Sequence, residues 1–286
     1  MELNEAFQTT FNTLLGKGDE EVKLEDFEGY LSQYLRPVLK QKSSVSGKEV
    51  TLLTSDYCDG AKFISQDEVK EQQFAPLNIN EIKDIDSILE AIESRANYTG
   101  NKVLGKSNFV EGSDVCIDSF YVKDSTNIRG SRYVAYSWMV RDSECVFGSS
   151  ASGKARYMIR TTSYNAARCF EAYYVADSSD TYFSYNCVGC SHNMFSFNQR
   201  GRRYVIGNLQ LDQEKYFQLK DKLLGEVREK LVRDKKFPSI FGIPERTQPL
   251  PKITVKERFD EQNLGKVDKA FGITTKIMFG EDLGPL

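Results

Sequence analysis

From Asn101 to about Asn208 the chain steps in sixes, with a serine opening one hexad after another, an aliphatic residue three places on, and no helical period. Together these observations predict a mainly β chain wound as a β-solenoid with α caps, because six is a multiple of the strand period of two and fits 3.6 residues per turn poorly. The first column reads Ser107, Ser113, Ser119, Ser125, Ser131, Ser137, Ser143 and Ser149, and the fourth Val110, Cys116, Val122, Ile128, Val134, Val140 and Val146. The valines are expected to stack inward from coil to coil, and the serines to sit at bends where a small hydroxyl can bond nearby backbone. A five-residue step at 149–153, "SSASG", is read as a slip of register. Eight looser hexads follow from Lys154, with Ser184, Cys190 and Ser196 in the first column and Cys169, Val175, Thr181, Cys187 and Asn193 in the fourth. Three hexads closing a triangular coil would give roughly five coils and a rod ~25 Å long.

The last coil of such a rod exposes an apolar cross-section and unpaired strand edges, so it needs a cover. Residues 209–243 supply one: Asp212 can cap a helix to about Lys236 whose stripe is Tyr216, Leu219, Leu223, Val227 and Leu231, joined by Leu224. Pro238 and Pro244 stop it. Residues 1–100 read as an α+β region. Phe7, Phe11 and Leu14 mark one helix, and Phe27, Leu31, Tyr34, Leu35 and Val38 a second. Residues 48–55 and 60–65 read as strands around a turn at Cys58-Asp59-Gly60. Residues 80–96 read as a helix whose Ile82, Ile85, Leu89 and Ile92 would cover the first coil. Residues 244–286 read as an extended arm: Pro249 and Pro251 exclude a central strand, while Ile253, Val255 and Phe259 suit an edge or groove of the same body or of a neighbour.

The chain's 286 residues, 40 % hydrophobic and 28 % charged, support real cores. No apolar run approaches the ~20 residues that span a bilayer, and the acidic, amphipathic start is unlike a secretory leader. Six cysteines are too few for a disulfide scaffold in a chain this long. A reduced, cytoplasmic protein is expected, or a virion component if the source is viral. Lys+Arg minus Asp+Glu is 10 − 19 = −9 over residues 1–100, 11 − 9 = +2 over 101–201 and 17 − 13 = +4 over 202–286. Such a split could orient subunits head to tail. The basic stretches at 200–203 and 228–236 lack interleaved stacking aromatics, so nucleic acid is not an expected partner, and neither is a membrane.

Candidate chemistry centres on His192, the only histidine, in "GCSHNMF". It is the one side chain suited to general-base work at neutral pH. Cys187-Val188-Gly189-Cys190 has the form of half a zinc site or a redox pair, with His192 nearby, but the repeat already assigns Cys187 to its fourth column and Cys190 to its first. Phosphate-loop spacing is absent from both glycine-rich stretches, 14–21 and 148–154. The expectation is therefore no catalytic residue, no metal and no cofactor. Protein contacts fall instead to the outward aromatics Phe120, Tyr121, Trp138, Tyr173 and Tyr174 and to the arm's Ile253, Val255 and Phe259.

Over residues 101–208 the serine and valine columns resemble the hexapeptide-repeat β-solenoid proteins. In the left-handed acyltransferases of that group the aliphatic residue is typically followed by glycine, whereas Val122, Val134 and Val140 here precede Lys123, Ala135 and Arg141. The chain is more similar to non-enzymatic members that end in a strand and a capping helix, and its handedness stays open. That resemblance implies a structural or assembly protein whose rod makes contacts with copies of itself or with neighbours, as in a phage virion. The acyltransferase alternative implies trimers with His192 as general base in a cleft between rods.

Overall fold

The computed structural model describes residues 1–69, 75–93, 95–153, 158–164, 168–176 and 181–242, with 269, 272, 273 and 276; for 153, 161–164 and 173–176 it describes the backbone alone. Helix α1 (Leu3–Leu15) buries Ala6, Phe7, Phe11, Leu14 and Leu15, and Glu2 and Glu5 close its first turn with a reciprocal capping box. The second expected helix is a single turn, α2 (Glu28–Leu31). Phe27 and Leu31 are buried as its pattern requires, but Tyr34 adopts a left-handed φ of 63° and Pro37 follows, so the chain straightens before Val38.

Strands β1 (Leu39–Lys42) and β2 (Glu49–Leu52) form an antiparallel pair, and β3 (Phe63–Ser65) pairs in parallel with β4 (Tyr98–Gly100). Both strands expected in 48–65 are present, but they do not form a hairpin with each other. The segment between them is too long for a tight two-residue turn, and the nearer β1 takes the β2 ladder instead. A single turn, α3 (Gln66–Val69), and helix α4 (Ile85–Glu93) separate β3 from β4, and α4 is shorter than the 80–96 expected because Ile79–Glu81 is a 3₁₀ turn.

The rod follows. Strands β5 to β13 are Val103–Leu104, Asn108–Glu111, Asp114–Ile117, Phe120–Lys123, Thr126–Arg129, Arg132–Ala135, Trp138–Arg141, Glu144–Phe147 and Ala151–Gly153. Strands β14 to β19 are Met158–Tyr164, Cys169–Ala176, Thr181–Tyr182, Ser191–Met194, Arg203–Ile206 and Leu209–Gln210. Parallel partners lie twelve residues apart, Val110 beside Val122, Val134 and Val146 on one face and Cys116 beside Ile128 and Val140 on the other. A coil is thus two hexads rather than three, and the β-solenoid is two-faced rather than triangular. The chain turns at two left-handed residues per hexad, the third (Phe109, Tyr121, Tyr133) and the sixth (Asp118, Asp124, Tyr136, Asp142). With this much turning in each hexad, two suffice to bring the strand back over itself.

Inside, Cys116, Val122, Ile128, Val134, Val140 and Val146 form one fully covered column. The serines form two interleaved ladders at its edges. From Ser107 to Ser137 each hydroxyl accepts from the amide of the serine one coil later, as in Ser131 N to Ser119 Oγ at 3.2 Å and Ser137 N to Ser125 Oγ at 3.0 Å. From Ser113 to Ser143 each also donates to the carbonyl two residues back, as Ser131 does to Arg129 at 2.8 Å. The predicted slip is real but misplaced. Val140 still pairs with Ser152 at twelve residues, while Ser152 pairs with Ser163 and Met158 with Cys169 at eleven. The missing residue therefore falls between 158 and 163, within the long β14.

The outward, fifth position of the first face builds the largest core. Ala135, Phe147, Ile159, Phe170, Tyr182 and Met194 line up there and receive Phe7, Phe11 and Leu14 of α1 with Tyr216, Leu224, Val227 and Leu231 of α5 (Gln213–Asp234). Asp212 Oδ1 accepts from Lys215 N at 2.8 Å, the N-cap expected from the sequence. Helix α5 lies along the side of the rod as well as beside its last strand: Arg228 donates to Asn12 Oδ1 and Gly16 O and reaches Glu20, tying α5 to α1. The last strand β18 is covered by β19, which pairs with it antiparallel. A buried cluster fastens the segment after α2 to the rod. Arg160 donates to Tyr30 O and Gln33 O, while Glu171 accepts from Tyr30 Oη, Ser239 Oγ and Ile240 N. A Cβ at Gly148 would lie 2.6 Å from Leu31 O, so glycine allows this close crossing. These elements belong to one compact unit, Met1–Arg246; the second, Thr247–Leu286, lies almost wholly outside the described residues.

Candidate contact surface

Helix α4 carries the clearest unsatisfied apolar face. Ile85, Leu89 and Ile92 recur at spacings of four and three, which places them on one side of the helix, and they are 66 %, 57 % and 43 % exposed. Ile79 and Ile82 just before them are exposed as well, and Ile88 is half-buried. The helix therefore does not cover the first coil, which corrects the expectation. That position belongs to β2: Asn101 N donates to Thr51 O at 3.0 Å, Thr51 N donates to Asn101 Oδ1 at 2.8 Å, and Val50, Leu52 and Phe63 cluster beside it. The hairpin reaches the strand edge before the helix can.

Val103, Leu104 and Phe109 on the first coil are also exposed, and β5 and β6 pair on one side only, with β7 and β8. Nine of the seventeen exposed large apolar side chains among the described residues fall between Ile79 and Phe109, so apolar exposure is concentrated where the chain enters the rod.

The expected contact aromatics are less free. Tyr121 is stacked between Phe109 and Tyr133, with centroids 4.6 and 5.2 Å apart, so it is a rung in an aromatic column of which Phe109 is the open end. Phe120 is half-buried in β8, and Trp138 carries the Arg36 guanidinium 5.5 Å over its ring. Tyr173 and Tyr174 lie in β15, but their side chains fall outside the described residues, as do Ile253, Val255 and Phe259 entirely. Sequence reading missed Phe109 and reversed the role of α4. The stripe itself was visible, but an amphipathic helix beside an open coil reads as a cap until the competing β2 is placed.

His192 occupies the third, left-handed position of its hexad, with φ 54°. Its ring packs among Tyr204, Phe217 and Tyr216, centroids 5.1, 5.4 and 6.0 Å away, and Nδ1 is buried without a hydrogen bond. The histidine is held under α5 by aromatic packing. Cys187 is fully buried, its thiol directed to the carbonyls of Tyr185 and Ser196 at 3.4 Å. Cys190 takes the serine role, donating to Val188 O at 3.6 Å, and burial raises its thiol's pKa above the ordinary value. Cys116 in the inner column is pushed up to about 12 by burial, with Asp114 adding to it. The Cys116 and Cys190 thiols therefore stay protonated. Among the described residues no three His, Cys, Asp or Glu side chains gather as a metal site, and no helix is long and apolar enough to cross a membrane.

Against this geometry, no family model, no curated protein and no solved structure matches the chain. The class the fold defines is a mainly β, two-faced β-solenoid with helical caps.

Proposed function

We propose that the protein is a non-catalytic assembly component that associates with copies of itself through the α4 end of the rod. The exposed stripe Ile85, Leu89 and Ile92 carries this reading, because each such side chain contributes ~1.5–3 kcal/mol when fully covered and costs solubility when it is not. The charge split supports a second copy as the occupant. The stretch 39–100, which leads into the rod, carries 7 − 11 = −4, and the last coil carries Arg200, Arg202 and Arg203, so the acidic entry end of one rod is attracted to the basic far end of the next. The rigid hydroxyl ladders suit a spacer that must keep its length. In this reading the chain is a non-enzymatic relative of the hexapeptide-repeat solenoids, working in the cytoplasm or in a multi-subunit particle such as a phage virion.

Light scattering of the full chain at tens of micromolar tests it. The wild type is expected above its monomer mass of 32.6 kDa, and Leu89→Asp with Ile92→Asp is expected to reduce the mass to that of the monomer with the circular dichroism unchanged. A monomeric wild type, or an assembly unaffected by the two aspartates, would refute the proposal.

A further inference from the structure

A groove of about 270 Å³ runs between the segment from Glu28 to Lys40 and the rod edge formed by Asp124, Tyr136 and Trp138. Asp124 and Tyr136 are the sixth, left-handed residues of two coils stacked on each other, so one column of bends forms the groove's wall. Two polar atoms stand out on it. Tyr136 Oη and Trp138 Nε1 are both buried and neither has a hydrogen-bond partner, although the serine ladder satisfies the neighbouring rungs one by one. Leaving a buried donor unmatched costs about 1–3 kcal/mol, which is recovered when an acceptor arrives.

The chemistry of the lining narrows the acceptor. Indole Nε1 only donates, and burial together with the Glu28 carboxylate holds the Tyr136 phenol well above its ordinary value, so it too stays a donor. Lys40 and Asp124 already pair at 3.4 Å, with Glu49 on the other side of Lys40 at 3.1 Å. That leaves one charge of each sign. The Arg36 guanidinium stacks on Trp138 and makes no ion pair among the described residues, and Glu28 makes none with its carboxylate. Leu35, Pro37 and Val38 complete the wall with apolar surface.

We infer that this groove binds a small zwitterion with an aliphatic side chain, a free amino acid in chemical class. Its carboxylate would meet Arg36 and the two unmatched donors, its ammonium Glu28, and its side chain Leu35, Pro37 and Val38. This is independent of the assembly reading, since α4 contributes nothing to the groove.

Trp138 is the only tryptophan of the chain, so fluorescence excited at the red edge of indole absorption, where the fifteen tyrosines do not absorb, reports this groove alone. The probe is L-leucine, titrated against the full chain beside its two halves, 4-methylpentanoate and 3-methylbutylamine. The expected result is a saturable change with leucine at a Kd at least tenfold below that of either half, raised about tenfold in Arg36→Gln and in Glu28→Gln, as loss of one charged hydrogen bond implies. Both positions are exposed, so the variants are expected to fold, and circular dichroism checks this. No saturable change with leucine, a half-probe binding as tightly, or unchanged binding in both folded variants would each overturn the inference.

Discussion

Ser131→Ala removes one hydroxyl from the middle of a ladder, and the structure fixes what each partner loses. Ser143 N donates to Ser131 Oγ at 3.2 Å, and because Ser131 is itself buried no water can take the place of its oxygen. Arg129 O loses the hydroxyl at 2.8 Å but keeps Asp142 N at 3.0 Å. The cost is therefore one orphaned amide, about 1–3 kcal/mol, plus one lost hydroxyl bond, about 1 kcal/mol, or about 2–4 kcal/mol in all. Ser107→Ala supplies the contrast. Ser107 is itself half-buried at the start of the same ladder, so the space its hydroxyl leaves opens to solvent and a water there can accept from the buried Ser119 amide; its cost is expected below about 1 kcal/mol. Urea unfolding of both variants, followed by circular dichroism, reads the difference. If Ser131→Ala were as stable as Ser107→Ala, the ladder would be ornamental and the account of the rod's edges wrong.

Val140→Asp places a carboxylate in a column with no exposure at all and should cost several kcal/mol, seen as loss of the cooperative melt. Glu171 sits in the buried cluster with a pKa raised above its ordinary 4.5 by burial, which outweighs Arg160. A raised acid contributes stability that is complete below the unfolded pKa and is lost as pH rises through the folded one, so the stability of wild type relative to Glu171→Gln should fall as pH rises from about 4.5 towards neutrality. A flat difference across that range would show that Glu171 titrates as if in water. His192→Phe keeps an aromatic ring against Tyr204 and Phe217 and should fold and melt within about 1 kcal/mol of wild type. Acyl transfer from a coenzyme A thioester that vanished in this variant would instead support the enzyme alternative.

Much of the rod was legible because its determinants are local. The serine and valine columns need only a six-residue ruler, and Asp212 announces α5 by cap chemistry. Coil size is not local: hexads of one kind can close in twos or threes. The fifth column does distinguish them, since Arg129 and Arg141 alternate with Ala135 and Phe147, and only a twelve-residue coil puts the apolar set on one face under α1 and the arginines on the other. The slip was placed too early because "SSASG" looks like a loop, whereas β14 absorbs the deficit without breaking its ladder. The candidate surface was misjudged through competition between elements. Two segments could serve the first coil, and the outcome depended on Thr51 and Asn101 exchanging hydrogen bonds, a pairing across fifty residues that no local pattern reveals. The groove at Trp138 was half legible, as an outward aromatic, but its cation comes from Arg36, a hundred residues earlier.

The two-hexad coil also constrains how such a rod can change length. Inserting a single hexad would keep every serine and valine in phase yet exchange the two faces beyond the insertion, turning an arginine such as Arg141 toward α1 and exposing Phe147. A twelve-residue insertion would leave both faces in place and lengthen the rod by one coil, ~4.8 Å. Heritable growth or shrinkage of this gene is therefore tolerable in steps of thirty-six nucleotides and disruptive in steps of eighteen, even though the protein sequence repeats every six.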